Sequence, residues 1–428
     1  MIISFSVKNF RSIKDRQTLS FEASKSKDLE EYYVCKVGRY RLLKLAMLYG
    51  ANASGKTNVL KALDFLFYLV RSTVFNKEAK IAYDTFRFDS ACKEENTQMD
   101  IEFIYEATKY SYSVEFNHTC IVSEKLCEFD PRKSVVFERT TDTTKQLPKI
   151  KFGSKVKVYQ LEKDNLTTNT LWNTTVLSGF NRISANIPQL RNVLNWFGSY
   201  MLPISPRVDL DSFVLNQMAQ GNIDKMDIIN LLNKADLGIS DISLQHRELD
   251  LSNPNAKELF IQNVFLTQRE RAQIQTTSKM DVFDLRLTHT IDGKSFSLSM
   301  RDESMGTQRY YGLSGILLLL IKRNTIMMID ELETSLHPDL YRHFIISYLK
   351  HSHRSQLIVT THNREILGDR DLFRNDAIWF TDRGNSEQKT ELYRLDYFDS
   401  SVVTDKTNIL NLYRIGKLGG VPNLDNIN

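Results

Sequence analysis

A chain of 428 residues with net charge +4, 42% hydrophobic and 25% charged residues has ordinary globular make-up and is longer than one core usually holds. That balance excludes a disordered or fibrous chain, and so small a positive excess permits nucleic-acid contact without arguing for it. Four cysteines, Cys35, Cys92, Cys120 and Cys127, contain no C-x-x-C pair and make no disulfide framework, so a reducing cytoplasm is the simplest compartment.

Residues 1–9 alternate, with Ile3, Phe5 and Val7 on one side, which predicts a half-buried strand; Thr18–Glu22 predicts a second strand and so a hairpin. Leu42–Tyr49 is an apolar run ending at Gly50, and Asn58–Val70 has helical spacing through Leu60, Leu63, Leu66 and Phe67. Strict alternation around Asp100–Phe116 predicts two strands with a turn near Ala107–Lys109, followed by strands at Lys125–Phe129 and Val135–Arg139. Within that block His118, Cys120 and Cys127 lack a fourth zinc ligand, and buried thiols are the simpler expectation.

The middle predicts helices at Trp172–Leu177, Ile187–Phe197 and Met226–Ala235, with turns at Pro203, Pro206, Ser252 and Pro254. Leu285–Thr290 and Ser295–Ser299 predict a strand pair. Gly306–Lys322 predicts an apolar helix, Thr325–Ile329 a buried strand, Asp339–Lys350 an amphipathic helix and Gln356–Thr360 another buried strand. Alternating buried strands and helices mean a parallel α/β sheet. The expected organisation is an N-terminal part over 1–145, a mostly helical insertion over 146–284 and a C-terminal part over 285–428. The longest apolar run, Gly315–Ile321, is too short to span a bilayer, so no membrane partner is expected.

The strongest chemical signal is Gly50-Ala51-Asn52-Ala53-Ser54-Gly55-Lys56-Thr57, which fills every fixed position of G-x-x-x-x-G-K-[ST] between a strand and a helix. Glycines let backbone amides approach phosphate, and the helix N-terminus adds positive potential. Lys56 supplies a charge for the β- and γ-phosphates, and Thr57 offers a hydroxyl to Mg²⁺. The candidate nucleotide-binding residues in this segment are Gly50, Asn52, Ala53, Ser54, Gly55, Lys56, Thr57 and Asn58.

A second signal is Asp330-Glu331 at the end of the apolar strand Thr325–Ile329. Asp330 suits the Mg²⁺ sphere, and Glu331 suits a base for an attacking water; alone, the pair could equally cap the next helix. His362, after a third apolar strand, could sense a γ-phosphate, although a lone histidine there is commonly structural. Ser304-Met305-Gly306-Thr307 opens a helix and makes either a second anion site or an ordinary serine N-cap. A chain already holding phosphate on Gly50–Thr57 has no need of that second site for itself, so Ser304, Gly306 and Thr307 are expected to serve another molecule.

Together, in this order, the motifs resemble the ABC-type ATPase heads of the SMC, Rad50 and RecF group, as does the opening Asn9-Phe10-Arg11-Ser12. The resemblance implies an α/β fold of mixed and parallel sheet with flanking helices plus an antiparallel β subdomain. It also implies ATP and Mg²⁺ as ligands, Arg11 on the phosphates, a trans signature loop at Ser304–Thr307, Glu331 and His362 as catalytic glutamate and switch histidine, and a D-loop at Glu333–Pro338. DESMGT, IDELETSLHPDL, QLIVTTHN, RNDAIWF and the tail Leu412–Pro422 are similar to the prokaryotic AAA15-type (RloA/AbiLi-like) ATPases of anti-phage systems. That implies a homo-oligomer built on a head-to-head dimer, a separately encoded effector protein such as a nuclease, and a phage protein as trigger.

The signature reads S-M-G-T, not L-S-G-G-Q, which argues against a transporter. Gln98 is the candidate for the Q-loop glutamine. The segment after His362 is too short for a nuclease domain of the OLD type. A RecF/Rad50-like ATPase acting on DNA in repair or recombination is the alternative, weakened because Arg269, Arg271 and Lys279 are scattered among acids; a scaffold that holds ATP without turnover is a third.

Overall fold

The computed structural model describes every residue except 73, 75, 200–209, 251, 254–257, 259–278, 370, 385–386, 400–402, 404–406 and 422–428. The turns expected at Pro203, Pro206 and Pro254, the arginines Arg269 and Arg271, and Pro422 at the end of the tail motif lie outside the described residues.

The strands are β1 (Ile2–Lys8), β2 (Gln17–Ser20), β3 (Val34–Val37), β4 (Tyr40–Leu43), β5 (Leu45–Tyr49), β6 (Thr97–Tyr105), β7 (Thr108–Phe116), β8 (Ile121–Phe129), β9 (Lys133–Asp142) and β10 (Leu147–Phe152). They continue with β11 (Ile239–Asp250), β12 (Lys279–Ile291), β13 (Lys294–Ser299), β14 (Ile326–Ile329), β15 (Gln356–Thr360), β16 (Ile378–Arg383) and β17 (Thr390–Arg394). Contacts divide the chain into two compact units. One holds Met1–Val208, Leu319–Thr334 and Phe344–Asn428, and the other Asp209–Leu318 and Ser335–His343.

Among its described residues the first unit contains the small antiparallel pair β3-β4 and two large sheets. One has the order β14-β15-β5-β16-β17, parallel apart from β17. Every residue of β5, β14 and β15 is buried, as expected for strands covered on both faces. The other sheet is antiparallel, in the order β10-β9-β8-β7-β6-β1-β2. These are the parallel-dominated and antiparallel sheets expected of the mixed α/β fold.

The apolar run Leu42–Tyr49 is two strands, because Lys44 interrupts it. Its buried ammonium donates to the carbonyls of Leu349 (2.7 Å) and Ser352 (2.8 Å), satisfying the C-terminal end of helix Pro338–His351. Helix Lys56–Arg71 follows β5 and sends Phe67 into a ring cluster with Trp196 and Phe197 of helix Pro188–Ser199. Trp196 stacks on Phe103 of β6 at 3.8 Å between centroids. Truncating such a buried ring to alanine costs about 3–5 kcal/mol.

Two expectations shift. The β6–β7 turn sits on Glu106 and Ala107, both left-handed (φ 46° and 66°), the geometry that lets a two-residue loop match strand twist. Helix Val176–Phe180 starts later than Trp172, because the Thr175 side chain accepts the Ser178 N–H and fixes the start there, while Trp172 donates its indole N–H to the Lys77 carbonyl. Residues 146–284 contain helices Gln160–Asn169, Val176–Phe180, Pro188–Ser199, Leu210–Ala219 and Lys225–Lys234, and also β10, β11 and the start of β12.

The second unit carries the sheet β11-β12-β13, closed between β12 and β13 by a turn at Asp292 and Gly293 with both residues at positive φ. Against this unit's Leu210 and Val214 pack Gly312 and Gly315 of helix Met305–Lys322, where a Cβ would collide with either side chain. Among the described residues no helix is long and apolar enough to cross a membrane.

Candidate functional site

The fold delivers β5, β14 and β15 side by side, so the loops after their C-terminal ends meet at one edge of the sheet. After β5 the chain turns through Gly50 and reaches Gly55, whose φ of 109° suits glycine. A Cβ on Gly55 would run into the Thr390 side chain, and one on Gly50 would lie 2.5 Å from the Thr381 carbonyl. Both glycines are therefore required by close packing as well as by any ligand. Asn52 and Ala53 are exposed at the loop tip, Ala53 with φ 65°.

Lys56 is buried, and its ammonium donates to the carbonyls of Gly50 (2.7 Å) and Ala51 (3.1 Å). Burial lowers its pKa to about 8, against the pull of Asp330, Glu333 and Glu331, which favour the charge. The loop thus holds a cation folded back on its own carbonyls, a position an anionic ligand can draw it from.

The Thr57 hydroxyl donates to both carboxylate oxygens of Asp330, at 3.0 and 2.9 Å. Thr360 completes this cluster: its hydroxyl donates to Asp330 at 2.5 Å and accepts the Glu331 N–H at 2.8 Å. Glu331 has a left-handed backbone (φ 50°), unusual for a residue with a Cβ and a form of strain that gathers at functional sites. Its side chain is exposed, and the Thr334 hydroxyl reaches it at 3.4 Å. Glu333 accepts the backbone N–H of His362 at 2.5 Å, tying the segment after β14 to the one after β15. Burial lowers the His362 pKa, with Lys56 pushing the same way and the three carboxylates opposing. The geometry therefore brings Gly50–Thr57, Asp330, Glu331 and His362 together.

Arg11 lies on a loop locked by Asn9, whose buried side chain donates to the carbonyls of Cys92 (2.8 Å) and Glu95 (2.9 Å) and accepts the Phe86 N–H. The Arg11 guanidinium is 3.6 Å from Asp84. Next to it, Ser12 joins the phosphate-loop helix, accepting from Asn58 (2.7 Å) and bonding Thr390 (2.7 Å). Gln98 lies inside β6, paired with Lys8 and Glu115, and not in a loop. His118 stacks on Tyr83, Cys120 and Cys127 are buried thiols, and no group of three or more His, Cys, Asp or Glu side chains able to hold a metal ion occurs among the described residues.

Ser304, Gly306 and Thr307 belong to the second unit. Ser304 is the N-cap of helix Met305–Lys322, its hydroxyl accepting the Thr307 N–H at 3.1 Å. A Cβ on Gly306 would come 3.2 Å from the Ser335 carbonyl. Met305 beside it is 72% exposed.

Several contributors carried no readable signal. Thr381 holds Ser54 (2.6 Å), and Thr390 donates to the Ser54 carbonyl (2.9 Å). Gly420 lies against Gly50, with its Cβ position 3.3 Å from the Gly50 Cα. Threonines at strand ends and a distant glycine become visible only once the strand order is known.

A phosphate loop leading from a buried parallel strand into a helix, with an acid from the end of a strand two places away on its threonine, defines a P-loop ATPase. The chain belongs to the AAA-domain family described as "AAA domain, putative AbiEii toxin, Type IV TA system", whose model matches residues 45–155 and 205–368. No curated protein matches the chain. Among solved structures it is similar to an SMC head bound to the C-winged helix domain of ScpA, at 12% identity and TM-score 0.41, over 92% of this chain and 99% of that one. It is also similar to the SMC head domain from Thermotoga maritima, at 10% identity and TM-score 0.39, over 92% and 98%.

Proposed function

We propose that the chain is a cytoplasmic, Mg²⁺-dependent sensor and switch ATPase of a bacterial anti-phage, abortive-infection system, acting as a head-to-head dimer or higher homo-oligomer that holds or releases a separate effector. The observation that carries the ATPase part is the Thr57–Asp330 contact, in which a hydroxyl and two carboxylate oxygens converge beside a buried lysine. Hard oxygen donors of this kind suit Mg²⁺, which prefers few protein ligands and keeps its waters. When bound, the ion neutralises phosphate charge.

The chain's own residues do the rest. Lys56 swings from the Gly50 and Ala51 carbonyls to the phosphates, and the loop amides and helix N-terminus hold them. Glu331 orients the attacking water and accepts its proton. His362, neutral near pH 7 because its pKa is lowered, reads the terminal phosphate. Ser304, Gly306 and Thr307 of a second copy close the site, so loss of the γ-phosphate weakens the dimer and shifts its equilibrium. Arg11 leaves Asp84 to join the phosphates. The family's description, with its putative toxin and type IV toxin–antitoxin system, supports the abortive-infection role.

The test is hydrolysis and mass measurement on the purified full chain. Wild type is expected to turn over ATP only with Mg²⁺, and Glu331→Gln to bind ATP and accumulate as a dimer. Equal turnover in the two proteins overturns the assignment of Glu331. Loss of phage protection on Lys56→Ala in cells carrying the neighbouring effector gene tests the defence role, and unchanged protection sinks it.

A further inference from the structure

Beyond the phosphate loop, one exposed aromatic stands out. Phe88 is 65% exposed, whereas Phe86, two residues earlier on the same segment, is buried. Phe86 meets the Phe88 ring at 5.8 Å in an edge-on arrangement. Over the Phe88 ring, 5.1 Å from its centroid, lies the guanidinium of Arg383. Arg383 comes from the end of β16, next to the phosphate-loop strand β5 in the sheet. It is tethered by two carbonyls: its Nη1 donates to Ala53 at the phosphate-loop tip (3.2 Å), and its Nε donates to Gln388 (2.8 Å).

Leaving a phenyl ring in water forgoes the burial free energy that Phe86 collects. A planar cation held on such a ring, and tied to the tip of the loop that would hold the phosphates, is a flat π-surface beside that loop. We propose that Phe88 and Arg383 form the platform on which the nucleobase of the bound nucleoside triphosphate stacks. This rests on the nucleotide-binding reading of Gly50–Thr57 and deepens it. Every base has a π-face, so stacking adds affinity without reading hydrogen-bond patterns, and the guanidinium supplies both a stacking plane and a charge. The platform thus favours a nucleotide over bare polyphosphate of equal charge.

The experiment is calorimetric titration of the full chain with ATP and, separately, with inorganic tripolyphosphate. Wild type is expected to bind ATP more tightly. Phe88→Ala is expected to weaken ATP about 10-fold, the low end of base–aromatic stacking, while leaving tripolyphosphate unchanged. Phe88→Trp is expected to keep ATP affinity and to show indole fluorescence quenched by ATP but not by tripolyphosphate. Unchanged ATP affinity in Phe88→Ala, or equal weakening of both ligands, overturns the platform. Wild type binding both ligands equally leaves the phosphate loop standing and removes the platform. Wild type binding neither removes both.

Discussion

The phosphate-loop site and the Ser304–Thr307 loop are built in opposite ways. In the first, the key side chains are already engaged within one unit: Lys56 on two carbonyls, Thr57 and Thr360 on Asp330, and Ser54 held by Thr381 and Thr390. In the second, Ser304 is spent on capping its own helix, Met305 is open to solvent, and a Cβ at 306 would press tightly on the Ser335 carbonyl. A pre-bonded pocket can bind its ligand by exchanging partners. An open loop can contribute only to something that comes to it.

The contrast meets its hardest test in Lys56→Ala. Removing a charge-assisted phosphate contact from a buried loop is expected to weaken ATP binding at least about 100-fold, measured by calorimetry. Glu331→Gln should leave binding intact and slow hydrolysis about 100-fold or more, the usual worth of a general base, seen in single-turnover phosphate release. Ser304→Arg should leave monomer ATP binding unchanged and still abolish turnover. Mixing it with Lys56→Ala should restore part of the activity, because one composite site is then intact; no recovery on mixing would break the assignment of the open loop to a partner copy.

A smaller effect comes from the burial of Lys56. Its pKa, lowered to about 8 without ligand, must rise when phosphate arrives. ATP binding is therefore expected to take up a proton above about pH 8 and to weaken as pH climbs further. The sign follows because the bound state holds the proton more tightly than the free state. Titrations in buffers of different ionisation enthalpy measure the uptake. The smallest effect is expected for Thr390→Val, which removes hydrogen bonds to Ser12 and the Ser54 carbonyl and costs about 1–3 kcal/mol of stability in thermal or denaturant melts.

Much of this was legible in the sequence where local pattern and chemistry coincide. The loop Gly50–Thr57, the strands ending at Asp330 and before His362, and the alternating strands around 100–116 all carry periods that a linear chain displays. What stayed hidden depends on which strands become neighbours. Thr381 and Thr390 support the loop only because β16 and β17 follow β5 in the sheet order, a relation no local window contains. Gln98 followed local pattern into a strand, and the motif logic that made it a Q-loop candidate had no view of its pairing with Lys8. The apolar run Leu42–Tyr49 concealed Lys44, whose burial makes sense only once the end of a helix some three hundred positions later lies above it.

The packing of Gly420 against Gly50 has a consequence for synthesis. The phosphate loop is translated well before Thr381, Thr390 and Gly420, which hold its underside. Until those residues are made the loop is present without its floor, so a nascent or prematurely terminated chain displays the motif but not the assembled pocket. Ribosome-stalled chains ending before residue 381 should therefore fail to retain ATP, which makes nucleotide capture a check that synthesis has passed the residues that floor the loop.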